Sequence, residues 1–228
     1  MRRPRIKAMG VAATALGLGL SLASAGSAGA SSASTQAKHN VLKLSDFPSG
    51  WTQSKSTGSY SPIPGAAQLA KCLGVTTAVV KGVPPTAYSP DFATSDGSEN
   101  ASDSVTYYAS TKAAKADYFT YSSSKAPQCL QADFNGPAKS QLASEFGKGV
   151  TVGTVQVTRD PASYFGPGTA NITMFFPVNG KSGTINVELV FVDYITGVKE
   201  QTTELVGIQQ TIASSLTKHL TTVADGRL

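Results

Sequence analysis

Residues 184–194 read Thr-Ile-Asn-Val-Glu-Leu-Val-Phe-Val-Asp-Tyr, and this stretch predicts the middle of a β-sheet. Successive side chains of a strand point to opposite faces of the sheet. One face of this strand would carry Ile185, Val187, Leu189 and Phe191. In its second half the other face would carry Val190, Val192 and Tyr194. Because both faces are apolar, we expect a central strand that is covered on both sides.

Turn signals on either side of this strand predict antiparallel neighbours. Asn179-Gly180 precedes it, which is close to the preferred hairpin turn, although the loop looks longer than two residues. An earlier strand is predicted by the alternation of Ile172, Met174 and Phe176. Thr196-Gly197 predicts a turn into a further strand from Val198 to Thr203, and Val150 to Thr158 is another candidate.

The end of the chain carries an apolar pattern with helical spacing. Apolar residues fall three or four positions apart at Leu205, Ile208, Ile212, Leu216, Leu220 and Val223. This spacing places them on one side of a helix, which would lie across the sheet and close the core. A shorter helix is predicted from Pro137 to Phe146.

The first half of the chain predicts one strand between helices. Ala101 to Ser110 alternates as a half-buried strand, and Ser110 or Thr111 would cap the helix that follows and breaks before Pro127. Gly65 to Leu73 predicts a short helix, and residues 75–90 read as irregular. The single Trp51 follows a turn and predicts a core side chain at the end of the sheet, with a ligand site as the alternative.

Cys72 and Cys129 are the only cysteines. In an exported chain an even count with no leftover thiol predicts one intramolecular disulfide. Closing this loop would destabilise the unfolded chain by about 4 kcal/mol. The alternatives are a metal site, which two lone cysteines cannot complete, and a free reactive thiol, for which no electropositive neighbour is evident.

Residues 1–30 have the pattern of a signal peptide. The segment begins with basic residues, continues with an apolar run from Ala8 to about Leu22 and ends in small residues. Cleavage is predicted after Ala25 or Ala30. An uncleaved membrane anchor is the alternative, and the Arg2-Arg3 pair leaves the twin-arginine route open beside the general one. We expect residues 31–40 to be a flexible lead-in and residues 41–228 to form a single α+β extracytoplasmic domain.

The charge of the chain is concentrated in this leader. Four of the 19 basic residues lie there, which leaves 15 against 14 acidic residues and a net charge of +1. A nucleic-acid surface would need clustered basic residues, so we expect no nucleic-acid partner. After cleavage we expect no transmembrane span, and we expect the domain to be a monomer.

Candidate catalytic and metal-binding residues are few. A hydrolase would have to use His219 or Ser122, the latter within a Ser-x-x-Lys sequence that ends at Lys125, yet no Gly-x-Ser-x-Gly elbow occurs. An acidic loop with Asp91, Asp96, Glu99 and Asp103 could hold calcium, but its spacing is not that of an EF-hand and favours a solvated loop. We therefore predict no catalytic residue, no metal site and no cofactor.

The chain resembles a family of exported actinobacterial sensor-like domains, which includes the extracellular domain of certain membrane Ser/Thr kinases and related small secreted proteins and lipoproteins. The residues that carry the resemblance are 44–51 (Leu-Ser-Asp-Phe-Pro-Ser-Gly-Trp), Cys72 on a short helix, 89–92 (Ser-Pro-Asp-Phe), the strand and helix from Val105 to Tyr121, Cys129, and the terminal hairpin and helix. The resemblance implies an antiparallel sheet with helices packed against it. It also implies a non-enzymatic role in sensing or binding at the cell envelope.

We therefore predict a secreted, non-enzymatic binding or sensor-like domain of α+β class, with a C-terminal helix across the sheet and one disulfide. Its partner would be an unknown small molecule or a component of the cell envelope. A first alternative is a carrier of an apolar envelope ligand in a pocket between sheet and helices. A second alternative is a Ser/His hydrolase.

Overall fold

The computed structural model describes residues 27–58, 64–159, 168–209 and 211–228. These residues form a nine-stranded antiparallel sheet and seven α-helices, so the predicted α+β class is confirmed. Most of the predicted leader, including the cleavage site after Ala25, lies outside the described residues.

The helices are α1 (Ser27–Asn40), α2 (Ala66–Leu73), α3 (Thr77–Lys81), α4 (Thr111–Ser122), α5 (Ala126–Phe134), α6 (Lys139–Glu145) and α7 (Ser214–Asp225), with a 3-10 turn at Leu44–Asp46. The strands are β1 (Trp51–Ser54), β2 (Ala87–Tyr88), β3 (Asp91–Thr94), β4 (Glu99–Tyr107), β5 (Thr151–Val152), β6 (Gln156–Thr158), β7 (Thr169–Gly180), β8 (Gly183–Thr196) and β9 (Lys199–Ile208). None of these helices is long and apolar enough to span a lipid bilayer.

The order of strands across the sheet is β1-β3-β4-β9-β8-β7-β5, with β2 paired to β4 and β6 paired to β7. The long strand β8 lies between β7 and β9, which confirms its predicted central position. Gly180 pairs with Gly183, so the first hairpin turn consists of the two residues Lys181 and Ser182. The loop is thus shorter than the sequence suggested, because Asn179-Gly180 is the end of β7 and not the turn itself.

Each face of the sheet has its own core. The side of β8 that carries Val187, Leu189 and Phe191 packs against α2, α5 and α6, and we call it the disulfide face. The side that carries Val190, Val192 and Tyr194 packs against α7 and the segment from Leu42 to Trp51, and we call it the C-terminal face. The two-sided apolar pattern of residues 184–194 therefore corresponds to two separate hydrophobic clusters.

The predicted disulfide joins Cys72 in α2 to Cys129 in α5, with 5.7 Å between the Cα atoms. Cys72 lies in the last turn of its helix as expected. Cys129 lies inside α5, whereas the sequence had placed it just beyond a helix. The reason is that Pro127 is in the first turn of α5, where a proline is tolerated because its missing N–H would have no helical partner.

The C-terminal face is closed by α7 and by an aromatic group. Trp51 is buried and its ring centroid lies 4.7 Å from that of Phe47, which is in turn 4.3 Å from that of Phe92. This arrangement confirms Trp51 as a core side chain at the end of the sheet. Leu216 and Leu220 of α7 are buried in the same cluster.

The C-terminal helix is shorter than predicted. It begins at Ser214, whereas Leu205 and Ile208 belong to β9, where Leu205 pairs with Val190 of β8. Gln209, with a φ of 59°, follows the strand directly. The spacing of Leu205 and Ile208 fits a helix by chance, because tertiary pairing with β8 decides the structure of this segment.

Residues 31–40 are helical, although a flexible lead-in was expected. They belong to α1, in which Ala37 is fully buried and packs with Val41, Ala87 and Val105. One buried alanine is too little to give the sequence an apolar stripe with helical spacing. The helix is instead stabilised by its contacts with β2 and β4, which the sequence does not reveal.

Two strand predictions also differ in detail. β4 is buried on both faces and not half-buried, because α1 packs against it and the segment from Gly82 to Pro85 forms a wall over the cavity on its other side. The candidate strand from Val150 to Thr158 is divided into β5 and β6, both of which pair with β7.

Residues 75–90 were expected to be irregular, but they contain β2 and α3, which is capped by the Thr76 side chain. The helix α4 begins as predicted, with the Ser110 hydroxyl 3.2 Å from the Ala113 N–H.

Candidate ligand-binding cavity

An internal cavity of about 70 Å³ lies between the disulfide face of the sheet and the helices α4 and α5. The segment from Gly82 to Pro85 forms part of its wall. The floor consists of alternate residues of β4 and β9, because every second side chain of a strand points to the same face. These residues face each other in the pairs Ser102 with Glu204, Ser104 with Thr202, and Thr106 with Glu200.

One end of the cavity contains two carboxyl groups that share a tyrosine. The Tyr108 hydroxyl lies within hydrogen-bond reach of both Asp117 Oδ2 and Glu200 Oε2. A hydroxyl has a single proton to donate, so the second contact requires a proton on one of the carboxyl groups. Burial raises the pKa of Asp117 to about 6. Burial, followed by the charges of Asp117 and Asp193, also raises the pKa of Glu200.

Asp193 of β8 adds a third buried carboxyl group near this end. Its Oδ1 accepts a hydrogen bond of 2.7 Å from the Thr202 hydroxyl, but its Oδ2 is buried without a partner. Burial and the neighbouring Asp117 charge raise the pKa of Asp193 to about 7, although the hydrogen bond from Thr202 lowers it in part. This carboxyl group of the central strand is therefore held mostly in its neutral form below that pH.

Glu204 lies towards the other end of the floor. Its side chain is 8% exposed, and its Oε2 is buried with no hydrogen-bond partner. Glu200 is 4% exposed, and its Oε1 likewise has no partner. Burial raises the pKa of Glu204 to about 8, with smaller contributions from the charges of Glu145 and Asp91. Leaving a buried polar atom unpaired costs about 1–3 kcal/mol, so these oxygens call for an explanation.

No cation of the described residues compensates these acids. Asp117, Asp193, Glu200 and Glu204 form no ion pair with a lysine or arginine in that part of the chain. The Arg159 guanidinium donates hydrogen bonds to the backbone carbonyls of Tyr121 and Ser123 and not to a carboxylate. The cavity is consequently a buried acidic site with unused acceptor atoms.

Comparison with known proteins gives a weak structural likeness. No protein-family model matches the sequence, and no curated protein matches it either. Among solved structures, the chain is similar to the extracellular domain of PknH from Mycobacterium tuberculosis, with a TM-score of 0.45 and 14% sequence identity. The aligned region covers 85% of this chain and 95% of the other. Similarity at this level assigns no ligand and no residue role to this chain.

The candidate hydrolase residues lie far apart in the fold. Ser122 ends α4 on the disulfide face, whereas His219 is on α7 on the C-terminal face. His219 Nε2 is 3.0 Å from the carbonyl oxygen of Asp46. The sheet lies between the two side chains, so they do not form a catalytic pair.

The acidic loop proposed for calcium is also separated by the fold. Asp91, Glu99 and Asp103 belong to strands, and only Asp96 lies in the connecting turn. Asp96 Oδ1 accepts hydrogen bonds from Thr94 and Ser98 of the same turn, at 2.8 Å from Thr94 Oγ1. In the described ranges no group of three or more His, Cys, Asp or Glu residues is placed to hold a metal ion.

Sequence reasoning missed the cavity acids Asp117, Glu200 and Glu204 and their neighbour Asp193. Asp193 gave a usable signal, because it interrupts a strand that was predicted to be buried on both faces. Glu200 and Glu204 gave none, because acidic side chains are usually exposed to solvent. Their burial depends on the pairing of β9 between β4 and β8.

Proposed function

We propose that the chain is an exported binding or sensor-type domain without catalytic activity, and that the cavity on the disulfide face is its ligand site. The supporting observation is the pair of buried acceptor atoms, Glu200 Oε1 and Glu204 Oε2, which have no partner in the described protein. Native proteins seldom keep such groups, and those that do so often use them at functional sites.

Export is supported by the leader pattern and by the disulfide. Disulfides form and persist in oxidising compartments outside the cytoplasm. Cys72 and Cys129 are joined, and none of the described cysteines is free. We therefore propose an extracytoplasmic location, with residues 1–30 removed as a signal peptide.

The alternative role as a carrier of an apolar ligand fits the cavity less well. Pockets that enclose drug-sized molecules have volumes of about 300–1,000 Å³, whereas this one has about 70 Å³ and an acidic floor. Two larger hollows, of about 420 and 590 Å³, are open grooves beside β7 and α6. Neither contains a buried carboxyl oxygen without a partner among the described residues. The hydrolase alternative lacks support because Ser122 and His219 lie on opposite faces.

Native mass spectrometry of the protein purified from the medium of its own host tests this proposal. We expect an added mass that is lost on denaturation, and we expect Ser104→Leu to abolish it by filling the middle of the cavity. Ser54→Leu, an exposed position on β1, is the matched control and should keep the added mass. Glu204→Gln provides a second cavity variant that changes no volume. A bare mass for the unmodified chain, or an added mass that both cavity variants retain, would contradict the proposal.

A further inference from the structure

We infer that the cavity binds the ammonium group of a small primary amine at the Glu204 end of its floor, held by Glu204 and the neighbouring hydroxyl groups. This inference rests on the proposed function, because it names the class of ligand for the same site. It depends on the charge, the hydrogen-bonding capacity and the size of the cavity.

The charge of the cavity selects a cation. Carboxyl groups line it from two elements, with Asp117 on α4 and Glu200 and Glu204 on β9. Asp193 of β8 lies next to this lining, where it accepts a hydrogen bond from Thr202. Tyr108, Tyr118 and Tyr121 adjoin them, and burial together with nearby carboxylates raises the pKa of each of these hydroxyls. Arg159, which interacts with Tyr118, directs its hydrogen bonds to backbone carbonyls. An anionic ligand would oppose ionisation of these acids still further, whereas a cation would favour their carboxylate form.

The hydrogen-bonding groups of the wall match an ammonium group. A primary ammonium offers three N–H donors and needs no donor from the protein. At the Glu204 end the floor supplies acceptors in the unpartnered Glu204 Oε2 and in the hydroxyls of Ser102, Ser104 and Thr202. Hydrogen bonds between an ammonium and a carboxylate are among the stronger ones in proteins. Binding would therefore satisfy the acceptor that the fold leaves unpaired at Glu204.

The size and the apolar part of the wall favour an organic amine over a bare metal ion. A volume of about 70 Å³ has room for a few heavy atoms. Leu130 and Phe134 of α5 line the side opposite the floor, and Phe191 is the cross-strand neighbour of Glu204. These side chains would contact a short carbon chain, while the tyrosine rings would attract the charge. No described group of acids is placed as a metal-ion shell, so the acids suit a ligand that brings its own N–H donors.

Binding should release protons. At neutral pH, burial keeps a proton on a large part of the Glu204 population, whose pKa is about 8. The ammonium keeps its own protons and favours the carboxylate form, so the carboxyl proton passes to the buffer. The number released per bound amine lies between zero and one for each carboxyl group that changes state.

Isothermal titration calorimetry with ethylammonium chloride tests the inference on the protein purified from its host. We expect a dissociation constant on the order of 1 mM, close to the limit for a ligand of three heavy atoms. We also expect a heat that changes with the ionisation enthalpy of the buffer, in the direction of proton release. Ethanol, tetramethylammonium chloride and sodium chloride at equal concentration serve as ligand controls. They lack the charge, the N–H donors, or both the donors and the carbon chain.

Variants identify the groups that bind. Glu204→Gln should weaken binding about tenfold, since it removes the charged acceptor, and it should also reduce the proton release. Glu200→Gln, at the other end of the floor, should weaken binding less. Asp225→Asn changes an exposed carboxyl group on α7, across the sheet from the cavity, and should leave binding unchanged. Cooperative unfolding of each variant confirms that it is folded before titration.

The outcomes separate this inference from the proposed function. The inference is wrong if ethylammonium gives no binding, if the control ligands bind equally, or if Glu204→Gln binds as the unmodified chain does. If native mass spectrometry nevertheless finds an uncharged ligand that Ser104→Leu abolishes, the proposed function stands without the amine. If the mass is bare and no amine binds, both fail.

Discussion

On the C-terminal face, the buried carboxyl group of Asp103 accepts hydrogen bonds from the Leu42 N–H at 3.0 Å, from the Gln201 side-chain amide at 2.7 Å and from the Thr203 hydroxyl at 3.0 Å. On the disulfide face, Glu204 is the next residue along β9 after Thr203, yet its Oε2 has no partner. Both acids are less than one-tenth exposed. On this pair of strands, the buried acid of one face is therefore hydrogen-bonded, whereas the buried acid of the other face has an oxygen without a partner.

The difference lies in hydrogen bonding and not in the pKa values. Burial raises the pKa of Asp103 to about 7 and that of Glu204 to about 8. The donors around Asp103 offset part of the cost of its burial, so this residue ties the chain around Leu42 to the sheet. The unpartnered Glu204 Oε2 links the sheet to no other segment. A high pKa alone would select both residues, whereas the missing partner selects only the cavity acid as a candidate for ligand binding.

The largest effect should follow from removing the disulfide, which supports only one of the two faces. Cys72→Ala combined with Cys129→Ala should lower the free energy of unfolding by about 4 kcal/mol, because the loop it closes is long. Urea denaturation measures this loss, and a reducing agent should destabilise the unmodified chain but not the double variant. A loss below about 1 kcal/mol would show that packing alone holds α2 and α5 together.

Asp103→Ala should give the next largest loss, about 3 kcal/mol. The substitution removes the acceptor for Leu42, Gln201 and Thr203 and leaves buried donors unpaired. Asp225→Ala, at an exposed position on α7, should change the urea midpoint little. If the two variants were equally stable, Asp103 would have no structural role, and the contrast between the faces would disappear.

Raising the pH should destabilise the native state. Asp193 and Asp103 have a pKa of about 7 and Glu204 one of about 8, all above their values in an unfolded chain. The native state therefore binds more protons than the unfolded state. The stability from these groups is complete below about pH 4 and is lost as the pH rises through 7 and 8. Between pH 5 and pH 8.5 we expect a loss on the order of 2 kcal/mol, measured by urea denaturation. Stability that rose over this interval would mean that the acids are ionised and paired in the native state.

Glu204→Gln should have the smallest effect on stability, and one of opposite sign. The amide has nearly the same shape but avoids ionisation in the cavity, so we expect a gain of about 1 kcal/mol at pH 8.5 and a flatter dependence on pH. At pH 5, where the carboxyl group is protonated, the two proteins should be equally stable. A loss like that of Asp103→Ala would reveal a hydrogen-bond partner for Glu204 and remove the reason for regarding it as a ligand-binding residue.

Much of the fold could be predicted where a segment contains its own signal. The helix cap at Ser110 depends on a hydroxyl next to a helical pattern, and the disulfide depends on the count of cysteines and a leader sequence. Predictions were wrong where a remote contact decides the structure. Leu205 is in a strand because β8 pairs with it, and α1 is a helix that docks through Ala37.

The sequence by itself determined the antiparallel sheet around β8, the burial of Trp51 and the bond between Cys72 and Cys129, because alternation, aromatic size and cysteine number are properties of the chain. Only the tertiary structure decided which acids are buried. The register of β4 with β9 brings Ser102 opposite Glu204 and Thr106 opposite Glu200, and the packing of α4 adds Asp117 beside Glu200. A carboxyl group on a strand reads as a surface residue until a neighbouring strand and helix exclude water from it, so the candidate site became visible only in three dimensions.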